Sequence, residues 1–86
     1  MPKGWAYIVS NKPRTVLYAG STINLRSRMY KFKKRHYPGF ASKYGCDALM
    51  YYEEFDRITD AAKREKQIKK WSRIKKENLI NSLNPK

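Results

Sequence analysis

Apolar and polar positions divide the chain into three strand-like runs and three helix-like runs. Trp5–Val9 is apolar, aromatic and β-branched, and Val16–Ala19 repeats that character. Between them lie the turn formers Ser10, Asn11, Lys12 and Pro13, so the two runs predict a hairpin. Each strand carries one tyrosine, Tyr7 and Tyr18, and antiparallel pairing would bring both phenols to the same sheet. Ala48–Phe55 predicts a third strand. Strict alternation puts Leu49, Tyr51 and Glu53 on one face and Met50, Tyr52 and Glu54 on the other. The apolar start of this strand predicts cover on both faces, with Glu53 and Glu54 near solvent. Adjacent strand residues point to opposite faces, so those two glutamates are a poor pair for acid–base chemistry.

The first helical run follows Gly20. Ser21 or Thr22 caps a helix to about Lys34, with Leu25, Met29 and Phe32 facing the sheet. Arg28 sits beside that stripe, whereas Arg26, Lys31 and Lys33 point elsewhere. Arg28 is therefore the cation of this helix best placed to reach the sheet surface; the alternative is a side chain lying along the stripe edge. The second helix is capped by Thr59, carries Asp60 in its first turn and ends near Trp71. Its apolar stripe is Ile58, Ala61, Ala62 and Ile68, and Glu65 lies at the centre, within about 60° of each on a 100° wheel. A carboxylate on a buried face needs a cation such as Arg28, a hydrogen-bond network or a bound metal. The pattern leaves ion pair and metal level. Ser72 caps a third, basic helix from Arg73 to about Asn81, with Ile74, Leu79 and Ile80 apolar and Pro85 ending it. Residues 34–48 are irregular: Pro38-Gly39 marks a turn, and Phe40 and Tyr44 are suited to one helical turn that plugs the core.

Length bounds this to one domain, residues 1–86, with a modest core. Charge adds more: twenty Lys and Arg oppose seven Asp and Glu, a net +13. Such a balance favours a polyanionic partner, above all DNA, with RNA as an alternative. A membrane surface fits less well, because the cations are spread through the pattern rather than grouped beside an apolar anchor. Lys33, Lys34, Arg35 and His36 beside Tyr37 resemble a phosphate-contacting loop with a ring for stacking. Lys69 and Arg73 join them as nucleic-acid-binding candidates. His36 is the only histidine, and a loop histidine reads more readily as surface than as a catalyst. Cys46 is alone, which excludes an internal disulfide and a Cys-rich metal site and suits a small core hydrophobe. No long apolar run or secretory h-region is present, so the expectation is a cytoplasmic monomer.

Several stretches together resemble the GIY-YIG nuclease superfamily, in its small single-domain branch. They are the strand with Tyr7, then Leu17-Tyr18-Ala19-Gly20-Ser21-Thr22, then Asn24-Leu25 with Arg28, then Tyr51-Tyr52-Glu53-Glu54-Phe55, and last Ala62–Ile68 followed by Trp71-Ser72-Arg73. The resemblance implies an α+β fold, a three-stranded antiparallel sheet flanked by about three helices. It also implies endonucleolytic cleavage of DNA phosphodiesters with Mg²⁺ or Mn²⁺; the DNA structure is left open, with structured or damaged DNA a candidate beside plain duplex. On that resemblance Tyr7 and Tyr18 activate and position the attacking water, Arg28 stabilises charge on the phosphate, and Glu65 binds the metal. The late asparagine of the family would match Asn84.

Three departures stand out. The first motif keeps only its tyrosine, in Trp5-Ala6-Tyr7; the second reads Tyr18-Ala19-Gly20; and Phe32 occupies a place where many members carry histidine. Phenylalanine neither transfers protons nor bonds a phosphate, and His36 would substitute only if the helix continued that far. These departures support an alternative, a catalytically weak or inactive nucleic-acid-binding module on the same fold.

Overall fold

The three apolar runs form one antiparallel sheet in a computed structural model that describes residues 2–34 and 45–83. The strands are β1 (Gly4–Ser10), β2 (Leu17–Thr22) and β3 (Ala48–Phe55), in the order β2-β1-β3. Helix α1 (Leu25–Lys34) lies between β2 and β3 in the chain, and α2 (Ile58–Lys69) and α3 (Arg73–Leu83) follow β3. The architecture is the α+β fold that the sequence predicts.

Pairing on both sides makes β1 the most buried element, and its alternation defines two cores. Tyr7 and Val9 pack with Phe32 and Cys46, joined by Val16, Tyr18, Leu25 and Met29, so α1 covers this face. Burial pushes the Cys46 thiol up from its ordinary pKa, as suits an inert core residue. Ile8 packs on the other face with Ala19, Tyr51, Ile68 and Ile80, under α2 and α3. Burial likewise raises the Tyr51 phenol.

The strict alternation expected in β3 is interrupted. Ile8 pairs with Tyr51 but Val9 pairs with Leu49, so Met50 is an inserted residue at a bulge. Met50 and Tyr51 consequently both join the core under α2 and α3. Leu49 and Tyr52 instead line an open groove with Trp5, Leu25 and Met29, beside α1. Leu49 and Tyr52 stay substantially exposed, so cover on both faces holds for only part of this edge strand.

Helix starts also differ from expectation. Ser21 and Thr22 belong to β2, paired with Ala6 and Trp5. The cap of α1 is Asn24, whose Oδ1 accepts from the Ser27 N–H (3.0 Å), while Thr22 Oγ1 accepts from the Asn24 N–H (3.1 Å). Helix α2 begins before Thr59, with Arg57 in the extended N-cap conformation and no side-chain cap bond. The Ile58 N–H donates instead to the Pro2 carbonyl (2.9 Å), so backbone from the chain start does the work of a cap. Gly4 permits that approach, since a Cβ there would lie 2.6 Å from Ile58 Cα. Ser72 caps α3 as predicted, accepting from the Lys75 N–H (3.3 Å). Of its three apolar residues Ile80 is buried and Leu79 packs beside it, but Ile74 is 75% exposed.

The β1–β2 turn is fixed from two sides. Asn11 accepts from the Val16 N–H and donates to the Thr15 hydroxyl, and Arg14 takes a left-handed φ of 54°. Arg73 of α3 donates to the carbonyls of Thr15 and Arg14, and Glu77 pairs with both arginines. No helix among the described residues is long and apolar enough to cross a membrane. The expectations for Arg35, His36, Tyr37, the Pro38-Gly39 turn, Phe40, Tyr44, Asn84 and Pro85 fall outside the described residues.

Candidate active site

Register brings the two tyrosines together. Tyr7 pairs with Gly20 and Val9 with Tyr18, so Tyr7, Gly20 and Tyr18 share the face covered by α1. The Tyr7 ring lies across Gly20: a Cβ at position 20 would sit 2.4 Å from the phenol oxygen and 2.5 Å from Cζ. The glycine is therefore required for space, and it lets the phenol cross the edge strand. Arg28 meets it there, its Nη1 donating to the Tyr7 oxygen (3.2 Å). The Asn24 cap fixes where α1 starts, and the first helical bond runs from the Arg28 N–H to the Asn24 carbonyl (3.0 Å). Of the two readings of Arg28, the one that reaches the sheet surface holds. One turn on, Phe32 is 4% exposed and stands edge-on to Tyr7, with centroids 6.0 Å apart at 69°. Its ring supplies packing to Tyr7 and no polar group.

Ser21, next to Gly20, points to the opposite face and meets Glu65 of α2. Its hydroxyl donates to Glu65 Oε1 (2.5 Å), and the Lys69 ammonium lies 2.6 Å from Oε2. Glu65 is partly buried, its side chain 20% exposed. Hydrogen bonding to Glu65 holds the Lys69 pKa above the ordinary lysine value. The same ammonium lies 5.5 Å from the Tyr18 ring centroid, linking the carboxylate to the second tyrosine. The buried-face carboxylate is thus compensated by a hydroxyl and by the cation one helical turn ahead, while Arg28 donates to Tyr7. The i, i+4 spacing of Glu65 and Lys69 carried that signal in the sequence. The role of Ser21 was hidden, because a strand position read as a helix cap.

Among the described residues no three His, Cys, Asp or Glu side chains cluster. One carboxylate beside a hydroxyl nevertheless suits Mg²⁺ or Mn²⁺, which keep waters and take further oxygens from a phosphate. The donor set fits an ion shared with substrate and not one enclosed by protein.

The nucleic-acid candidates scatter around this centre. Lys33 and Lys34 are exposed on α1, Lys34 with its ammonium 5.8 Å from the Tyr30 ring. Lys69 lies at Glu65. Arg73 sits at the β1–β2 turn, engaged with two carbonyls and Glu77. Arg35 and His36 lie outside the described residues.

Residues 3–78 match the GIY-YIG catalytic domain. A UPF0213 protein of Syntrophus aciditrophicus (strain SB) is 35% identical over 81 residues, covering 93% of this chain and 92% of its own. UPF0213 proteins of Clostridium perfringens and Staphylococcus saprophyticus are each 38% identical, over 91% and 94% of this chain and 83% and 98% of theirs. No solved structure gives a significant match. With its sheet order, its paired tyrosines and a domain match across most of its length, the chain belongs to the GIY-YIG nuclease family, among its small single-domain UPF0213 members.

Proposed function

We propose that this chain is a one-domain, metal-dependent endonuclease that hydrolyses DNA phosphodiester bonds. The observation that carries this reading is the convergence at the β2 edge. Tyr7 crosses Gly20 to meet Arg28 from one face, and Glu65 meets Ser21 from the other. Tyr7 and Tyr18 orient the attacking water. A guanidinium donating to the Tyr7 oxygen favours its phenolate, which, once the phenol proton has passed to solvent, accepts a proton from that water. The same guanidinium, five donors in a rigid fork, is suited to a non-bridging phosphate oxygen. Glu65 and the Ser21 hydroxyl would hold the Mg²⁺ or Mn²⁺ ion. Bound there, such an ion lowers the pKa of water and neutralises phosphate charge. Lys33, Lys34, Arg35, His36, Lys69 and Arg73 are the proposed contacts to the DNA backbone.

A second reading rests on Phe32. Its buried ring offers no proton donor beside Tyr7, which favours a binding module with weak or no cleavage. One experiment separates the two. Supercoiled plasmid and a panel of nicked, flapped and branched duplexes are incubated with Mn²⁺ or with EDTA, using wild type and Glu65→Ala. Cleavage that needs both the ion and Glu65 establishes the nuclease. Folded protein that binds every duplex and cuts none establishes the binding module.

A further inference from the structure

The Lys69 ammonium holds one oxygen of Glu65 at 2.6 Å, and Ser21 holds the other. Both oxygens of the proposed metal ligand are therefore engaged within the chain. The serine is neutral and can remain beside a bound ion. The ammonium cannot share its oxygen with a divalent cation without strong like-charge repulsion. The same ammonium lies 5.5 Å from the Tyr18 ring centroid, so a second favourable contact is within its reach. We propose that Lys69 is an internal counter-ion that competes with the divalent cation for Glu65. Metal binding displaces it from the carboxylate toward Tyr18 and the substrate side of the site. The inference rests on Glu65 as metal ligand. It makes Lys69 a positioning residue that sets the affinity of the site for the ion in the absence of DNA.

The test is direct binding of Mn²⁺, by paramagnetic titration without nucleic acid, to four variants and the wild type. Lys69→Met keeps an unbranched stem at position 69 and removes the charge. Lys66→Met removes the same net charge from an exposed position of the same helix. Lys69→Arg restores a cation, and Glu65→Ala removes the ligand. Thermal melting of each variant establishes that it is folded. Lys69→Met is expected to bind Mn²⁺ about two- to fivefold more tightly than wild type, the range that losing one partly exposed ion pair allows. Lys66→Met should change affinity by much less, and Lys69→Arg should return it to near the wild-type value. Equal or weaker binding by Lys69→Met, with Glu65 still required, overturns the competition and leaves the metal site standing. Unchanged binding by Glu65→Ala removes the metal ligand itself, and the inference falls with it.

Discussion

Gly20 decides where the Tyr7 phenol goes. Its backbone dihedrals do not demand glycine; the ring above it does, since the three atoms nearest an added Cβ all belong to Tyr7. Gly20→Ala must therefore push the ring off the strand, and with it the oxygen that Arg28 contacts. Tyr7 is 1% exposed and packed against Phe32, so it has little room to yield. Overpacking of this kind costs about 1–3 kcal/mol, to be measured by urea denaturation. In a Tyr7→Leu background the clashing ring atoms are absent, and the added cost of Gly20→Ala should fall below about 1 kcal/mol, read as a double-mutant cycle. A full cost in that background would place the clash somewhere other than on the phenol. The prediction links a stability effect to the site, because the atom displaced is the one proposed to handle water.

Elements meet at their ends, and the ends hold most of what the sequence concealed. Helix α1 starts where Asn24 accepts from Ser27, and that start sets the turn on which Arg28 faces Tyr7. Asn24→Ala removes the acceptor and should cost about 1 kcal/mol, measured by thermal melting, while Asn24→Asp should retain most of the stability. Ser21, Thr22 and Asn24 are all cap formers, so local chemistry could not choose among them; the pairing of β2 with β1 chose by claiming Ser21 and Thr22 for the strand. The start of α2 was hidden for a related reason, since its first amide is satisfied by Pro2, far away in sequence. The bulge at Met50 depends on register with β1 and leaves no local signature. The strands and helix faces were legible, because runs such as Trp5–Val9 and the Leu25, Met29, Phe32 stripe carry their own periodicity. The position of Glu65 on a buried face was legible in the same way; its capture by Ser21 was not, because it needed the sheet.

At the scale of the whole molecule, charge is the dominant fact. All four glutamates are held in ion pairs, with Lys3, Arg14, Arg64, Lys69 and Arg73 as the partners. Exposed cations such as Arg26, Lys31 and Lys33 on α1, and Lys63, Lys66 and Lys70 around α2, dominate the surface that remains. A net +13 on a body 36 Å long should bind duplex DNA through counter-ion release. That length is about one turn of B-form DNA, so one face can neutralise on the order of 4–6 phosphates. Log K against log salt should then fall with a slope of about −4 to −5, measured by fluorescence anisotropy in EDTA, where no cleavage occurs. Glu65→Ala should keep that slope and bind at least as tightly, because it removes a negative charge and releases Lys69. A slope near zero would mean that the basic surface does not meet DNA. A slope steeper than about −8 would mean roughly nine or more phosphates neutralised, and so contacts from more than one face. The slope therefore counts the phosphates met, independently of whether the site cuts.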